Sequence, residues 1–249
     1  MDISAVILAG GYATRLAGEC QTTPKPMLEF GGIPFLAYQV SWLIRSGCKE
    51  VIIVSGHLSE VIENFFGTNE WKGRGVRVVC DKPPRGTALT ALAGIAAASY
   101  GDIFQCNGDT VAEFDFRAAV SSFSAQAQSS MTLLTLQEGV QNQGAALVQH
   151  GVVVEFAEGL PAKDVGVLPD GFRGSSTGCY FIRRPLALAT YPERTSFERE
   201  VLPLLVAQRQ LAGIQFGSGR LIDFGTPERL AALRAQLHIL LDVYGQPLS

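Results

Sequence analysis

Short apolar runs alternate with amphipathic stretches through the first half of the chain. The runs at 3–9, 51–55, 76–80 and 103–106 are rich in β-branched residues and bounded by Gly, Asp or Asn, which predicts buried strands. Between them, Pro34 suits a first helical turn, and Leu36, Val40, Leu43 and Ile44 share one face before Gly47 ends the pattern. Stretches 58–66 and 87–99, the latter Ala-rich, predict two further helices. Strand–helix–strand repeats of this kind imply right-handed crossovers. They predict an α/β, Rossmann-like fold with a mostly parallel central sheet and helices on both faces.

The pattern changes after residue 130. Runs at 131–136, 145–148 and 152–156 read as strands joined by short turns, with Gln149-His150-Gly151 a hairpin signal. Stretch 159–174, rich in Gly, Pro and Asp, reads as a surface loop, and 177–183 as another strand. Leu230, Leu233, Leu237, Leu240, Leu241 and Tyr244 form one apolar stripe, which predicts a single long C-terminal helix. The second half is thus expected to add a smaller antiparallel β portion. No repeat, linker or low-complexity segment interrupts residues 1–249, which read as one domain.

Composition narrows the function classes. Across 249 residues, 20 Lys+Arg against 23 Asp+Glu give a net charge of −3, and 47% of residues are hydrophobic against 17% charged. That excludes a disordered chain and argues against a broad basic surface for nucleic acid. Five scattered cysteines without CxxC or Cys/His spacing predict neither a disulfide framework nor a zinc site. Cys80 and Cys106 close apolar runs and read as buried thiols. The longest apolar stretches fall short of the ~18–20 residues of a membrane span, and Asp2 stands where a signal peptide carries a cation. A cytoplasmic protein with no membrane contact is expected, and assembly as a homo-oligomer stays open. Only five cations are lysines, at 25, 49, 72, 82 and 163, so a lysine inside a motif stands out.

The first run leads into Leu8-Ala9-Gly10-Gly11-Tyr12-Ala13-Thr14-Arg15-Leu16. Glycines beyond the carboxyl end of a buried parallel strand let backbone N–H groups approach an anion, and Arg15 adds a charge-assisted fork for phosphate oxygens. The same residues also fit an ordinary Gly-rich turn with a surface arginine. Neither G-x-G-x-x-G opening a helix nor a Walker loop is present. The loop continues into Thr23-Pro24-Lys25-Pro26-Met27, where two prolines favour an extended path. Lys25 is then either a fixed point charge against a triphosphate or a solvated loop lysine. Asp109, in Asn107-Gly108-Asp109-Thr110, suits a hard divalent cation, which takes one or two carboxylates plus substrate phosphates. It also suits a helix cap. Asp223 ends a further apolar run just before Thr226-Pro227, a helix start, and is a second metal ligand or a strand-end cap. His57, His150 and His238 lie in helix or turn contexts and receive no catalytic role.

Taken in order, LAGGYATRL (8–16), PKPM (24–27), PPRGTALTA (83–91), NGDT (107–110) and IDFGTPE (222–228) resemble the sugar-1-phosphate nucleotidyltransferases, or nucleoside-diphosphate-sugar pyrophosphorylases. NGDT and SFEREVLP (196–203) are similar to the short bacterial branch that includes heptose-1-phosphate guanylyltransferases. The resemblance spans nearly the whole chain and implies a nucleotide-binding half, 1–130, and a sugar-phosphate-binding half, 131–249. It implies transfer of a nucleoside monophosphate from a nucleoside triphosphate to a sugar 1-phosphate, with Mg²⁺ as cofactor. GTP and a heptose 1-phosphate are the first expectation. Another base or sugar, or a non-catalytic nucleotide-sugar-binding relative, are the alternatives. By the same resemblance Leu8, Gly10 and Gly11 line the base and phosphates, while Arg15 and Lys25 stabilise charge on the α-phosphate. Asp81 touches the base edge, Gly86 and Thr87 contact base and ribose, and Asn107 joins the nucleotide site. Asp109 and Asp223 hold Mg²⁺, with Arg15, Lys25 and Asp109 the catalytic set. Gly144, Glu158, Thr177 and Gly178 hold the sugar phosphate.

The chain departs from the family pattern at identifiable positions. Ala88-Leu89 stand where Gly-Gly is usual, and Arg85 where the residue is usually apolar. Glu158-Gly159 replaces Glu-Lys, so the lysine that meets the sugar phosphate is missing, with Lys163 or Arg173 as candidate substitutes. Gln143 replaces an aromatic, and Ser176-Thr177-Gly178 replaces Asn-Ala-Gly. The implied reaction is therefore expected with an altered sugar site. A sugar-phosphate oxygen is already ionised at pH 7, so alignment and charge neutralisation must carry the chemistry, with no general base.

Overall fold

The computed structural model describes residues 2–16, 18–136, 144–216 and 219–248. Within them one sheet is built from β1 (Ile3–Ala9), β2 (Glu50–Ser55), β3 (Val76–Cys80), β4 (Asp102–Asn107), β5 (Ser130–Thr135), β6 (Ala145–Gln149), β7 (Val152–Ala157), β8 (Gly171–Arg183) and β9 (Leu211–Gln215). Their order in space is β3-β2-β1-β4-β8-β5-β9-β7-β6, and β8 also pairs with β6. The helices are α1 (Phe35–Ser46), α2 (Ser59–Phe66), α3 (Asn69–Gly73), α4 (Thr87–Ala97), α5 (Phe116–Ala125), α6 (Arg184–Thr190), α7 (Leu202–Ala207), α8 (Pro227–Ala235) and α9 (Leu237–Tyr244).

The four expected strands of the first half are β1 to β4, and the ladders among them are parallel. Burial on both faces follows: Ile7, Ile53 and Phe104 enter one apolar cluster while Val6, Ile52 and Ile103 enter another. This is why these runs are continuously apolar rather than alternating. Beyond β4 the sheet is mixed, not mostly parallel. β8 runs antiparallel to β4, β5 and β6, β7 runs antiparallel to β6 and β9, and only β5 and β9 pair in parallel. The physical reason is connection length, since the two-residue turn His150-Gly151, with φ of 51° and 77°, can join only antiparallel neighbours. The antiparallel strands expected in the second half continue the same sheet.

Other expectations are refined by packing. The 159–174 loop is shorter than its composition implied, because β8 begins at Gly171 and its backbone pairs with β6. The single C-terminal helix is two, broken at Gln236 with φ −120° and ψ 46°. The break lets Leu230, Leu233, Leu240 and Tyr244 all reach one cluster with Phe30, Phe35 and Phe224. Cys106 is buried as expected, but Cys80 is exposed, since it ends the edge strand β3. No helix among the described residues is long and apolar enough to cross a membrane.

Candidate active site

Two clefts meet beyond the carboxyl ends of β1 and β4. Leu8 and Asn107 are register partners on those strands, and the Gly108 amide donates to the Leu8 carbonyl at 2.9 Å. Gln39 of α1 donates to the Asn107 carbonyl at 3.0 Å and to that of Thr110 at 3.2 Å, fixing the turn between them. The first cleft is lined by Leu8, Gly10, Gly11, Gly86, Thr87 and Asn107, all expected at a nucleotide. Gly11 faces open space, whereas Gly10 lies against the backbone of Gly56, which a side chain there would push aside slightly. Gly86, at φ 101°, brings the start of α4 against the Thr195 carbonyl, which a Cβ would strike. Tyr12 and Thr90 also line this cleft. Tyr12 is 55% exposed and packs its ring on His57 at 5.1 Å.

Asp81 is close by but is not part of the cleft wall. It is 4% exposed; Oδ1 accepts from Arg85 Nε at 2.8 Å and Oδ2 from Thr90 Oγ1 at 2.9 Å. Of Asp81, Arg85 and Thr90, only Thr90 lines the cleft.

Between the clefts lies a charged cluster assembled from three segments. Lys25, on a one-turn 3₁₀ helix flanked by Pro24 and Pro26, is 6% exposed. Its Nζ donates to Asp109 Oδ2 at 2.8 Å and Asp223 Oδ1 at 3.1 Å, and lies 4.8 Å above the Phe224 ring. Asp223 reaches Asp109 because its short strand, Leu221–Asp223, pairs antiparallel with Thr110–Ala112, placing Asp223 opposite Thr110. Arg229 donates to Asp223 Oδ2 at 3.3 Å from α8, whose first turn is capped by Thr226 with Pro227 at its start, as expected from the sequence. Asp109 lines both clefts.

This donor set fits Mg²⁺. Two carboxylates converge, and the side chain of Asp109 is 39% exposed toward the clefts. A hard cation takes such a pair and completes its shell with phosphate and water oxygens. Among the described residues there is no group of three or more His, Cys, Asp or Glu that would form a closed cage.

The second cleft is lined by Arg15, Gly144, Glu158, Gly178, Asp109 and Asp223, together with Ser176, Tyr180 and Glu198. Arg15 is exposed on the turn Thr14–Leu16 and takes no part in the ion pairs among the described residues. Thr177 does not face this cleft: its Oγ1 donates to the Leu133 carbonyl of β5 at 3.0 Å. Alternation along β8 turns its neighbour Ser176 inward instead, where Ser176 and Tyr180 hydroxyls meet at 3.0 Å. Neither substitute for the missing lysine lines the cleft. Arg173 donates to the Lys163 and Val165 carbonyls at 2.9 and 3.3 Å, bracing the loop. Gln143 lies outside the described residues.

Glu198 was not anticipated as a site residue, although its segment 196–203 stands out in the sequence. It sits on the single π-helical turn Phe197–Val201, an irregularity common at functional sites. Thr87 Oγ1 accepts from the Phe197 amide at 2.8 Å and donates to Glu198 Oε2 at 3.0 Å, so α4 fixes the acid. Burial pushes the carboxyls of Glu158 and Glu198 up from the ordinary value of 4.5, and the Glu198 charge adds to the effect on Glu158. An acid whose folded value is raised binds its proton more tightly in the native state. Stability therefore falls as pH rises from about 4.5 through the raised native values. Glu158→Gln and Glu198→Gln are each expected to raise the melting temperature at pH 7 and to flatten its fall between pH 4.5 and 7, read by thermal denaturation across that range. An unchanged profile would show that burial does not penalise these charges.

Comparison with known proteins bears on the fold and the family. The mannose-1-phosphate guanylyltransferase catalytic subunit beta of Drosophila melanogaster is 29% identical over 231 residues, 90% of this chain and 60% of that protein. The chain thus spans about three fifths of the length of the curated relatives it matches. Among solved structures, HddC from Yersinia pseudotuberculosis superposes with a TM-score of 0.75 at 22% identity, covering 94% of this chain and 98% of that one. A putative glucose-1-phosphate thymidylyltransferase from Bacillus anthracis gives 0.76 at 20%, covering 94% and 95%. Both share the fold. The nucleotidyl transferase family model matches residues 4–238, a span that contains every residue placed in the two clefts and the lysine–aspartate cluster between them. The chain belongs to the nucleotidyl transferase family.

Proposed function

We propose that the chain transfers GMP from GTP to a sugar 1-phosphate, releasing pyrophosphate. The observation that carries this reading is the cluster of Lys25, Asp109 and Asp223 at the junction of the two clefts, where Asp109 faces both. Two anionic substrates are held there with their reacting groups side by side. Glycine-loop amides at Gly10 and Gly11 meet the triphosphate, and Arg15 reaches in from the exposed turn to neutralise charge on the transferring group. Lys25 is held rigid by its two aspartates, so its charge needs no reorganisation as negative charge develops. The sugar-phosphate oxygen attacks the α-phosphorus in line and pyrophosphate leaves. Mg²⁺, bound by Asp109 and Asp223, would supply Lewis-acid neutralisation of the phosphate oxygens. Residues 1–130 supply the nucleotide cleft and 131–249 most of the sugar cleft in this reading.

The base and the sugar rest on different support. The curated relatives carry the name mannose-1-phosphate guanylyltransferase, and the 107–110 and 196–203 segments resemble the heptose-1-phosphate branch. Both point to guanine. In the second cleft Glu158, Glu198, Ser176 and Tyr180 supply carboxylate and hydroxyl groups for a polyhydroxylated ring, and Arg15 is the cation on its wall. The test is pyrophosphate release with Mg²⁺ from each of the four nucleoside triphosphates against mannose, heptose, glucose and N-acetylglucosamine 1-phosphates. GTP with mannose or heptose 1-phosphate is expected to give the highest kcat/KM. Tight nucleotide-sugar binding without turnover in any combination would instead favour a sensor.

A further inference from the structure

Within the guanylyl-transfer reading, the nucleotide cleft contains a hydrogen-bond relay whose polarity is set by the chain itself. Arg85 directs Nε and Nη2 at Asp81 Oδ1, at 2.8 and 2.7 Å. An arginine can only donate, so this oxygen is an acceptor. Thr90 Oγ1 then gives its one proton to the other oxygen, Oδ2, at 2.9 Å. Thr90 as a residue is 7% exposed and lines the cleft beside Gly86, Thr87 and Leu8. Having spent its proton, it can offer only lone pairs to whatever occupies the cleft.

We propose that Thr90 is a specificity-determining residue for the base, presenting an obligate acceptor that selects a purine edge rich in donors, with Asp81 and Arg85 as the positioning residues that fix this polarity. Guanine carries N1–H and N2–H₂ on its Watson–Crick edge. Adenine carries an unprotonated N1 at the corresponding position, and a lone-pair partner repels it. A site that accepts from a substrate N–H rejects the analogue lacking it far more strongly than a shape mismatch would, because a buried polar group is left without a partner. The relay depends on this chain's arginine at 85, where an apolar side chain would leave Asp81 free to face the base directly.

The decisive variant is Asp81→Asn. Arg85 keeps the amide oxygen on its own side, which turns the amide NH₂ toward Thr90. The Thr90 oxygen then accepts, and its proton is released toward the cleft. The change is nearly isosteric but reverses what the hydroxyl offers. The experiment measures kcat/KM for GTP, ITP and ATP, with a sugar 1-phosphate that the wild-type chain turns over, for wild type, Thr90→Ser, Thr90→Val and Asp81→Asn. Thr90→Ser is expected to keep the GTP/ATP ratio. Thr90→Val is expected to lower it by about 10- to 100-fold through loss of the GTP rate, with the KM for the sugar 1-phosphate unchanged. Asp81→Asn is expected to lower the ratio further by raising the ATP rate, and ITP, which keeps N1–H, is expected to follow GTP. A wild-type ratio in Thr90→Val, or a ratio in Asp81→Asn that falls no further than in Thr90→Val, overturns the relay while leaving nucleotidyl transfer intact. A wild-type chain that turns over no nucleoside triphosphate overturns the underlying reading and the relay with it.

Discussion

Asp109→Ala is expected to lower kcat for pyrophosphate release by about 10³-fold or more while leaving the protein folded. The carboxylate sits where the clefts meet and lines both, so its loss removes a partner of Lys25 and one of two candidate metal ligands at once. Its structural duties are small. The side chain is 39% exposed, the Thr110 hydroxyl approaches it only at 3.3 Å, and Lys25 keeps Asp223. The cost in urea denaturation is expected to stay within about 1 kcal/mol. Asp223→Ala provides the contrast. That side chain is 13% exposed and serves both Lys25 and Arg229, so removing it leaves Lys25 with Asp109 alone and takes this carboxylate from Arg229, costing about 1–3 kcal/mol in addition to the activity. Near-wild-type turnover in Asp109→Ala would remove the metal assignment; equal destabilisation in both variants would mean that the cluster is structural throughout.

The pairing that brings these aspartates together was not legible in the sequence, although both residues were. Strands Thr110–Ala112 and Leu221–Asp223 are three residues long, too short to show a period, and their partnership spans more than a hundred residues of chain. What could be read were features with local causes. Buried parallel strands need long apolar runs, a glycine loop follows the first of them, and Thr226-Pro227 starts a helix by capping chemistry alone.

What escaped depended on partners. Asp81 looks like a free carboxylate in the chain, and only the fold turns Arg85 and Thr90 onto it. Thr177 and Ser176 are adjacent, so the pleat of β8 decides which one faces the cleft, and Ser176, Gly178 and Tyr180 share the inward side. Glu198 lies on a π turn whose extra residue rotates it inward, which helical periodicity assigns to no face. The antiparallel strands were read correctly as strands, yet their merger with the parallel ones arises from β8 pairing with both β4 and β5, a long-range choice that no segment encodes by itself.

Lys25→Met is expected to lower kcat by about 10³-fold while changing the KM for GTP and for the sugar 1-phosphate by less than about tenfold. The reasoning turns on where the charge sits. A lysine that merely attracted substrate would be exposed and mobile, and its loss would raise KM. Lys25 is instead 6% exposed, confined between two prolines, and held by Asp109 and Asp223 above the ring of Phe224. That arrangement fixes a charge in advance of the reaction, the condition under which electrostatics acts on the transition state more than on the ground state. The same burial gives the substitution a second signature. Methionine keeps the apolar stem but leaves two carboxylates facing each other without their shared cation, which is expected to cost about 3 kcal/mol in denaturation. In the proposed reading, Mg²⁺ bound by those carboxylates would stabilise the folded state by mass action, and in Lys25→Met it would also replace the missing charge. Added Mg²⁺ is therefore expected to raise the melting temperature of the variant more than that of the wild type. A loss confined to KM would make Lys25 a binding residue, and an equal Mg²⁺ response in both proteins would mean that the metal is not held by the aspartates that Lys25 bridges.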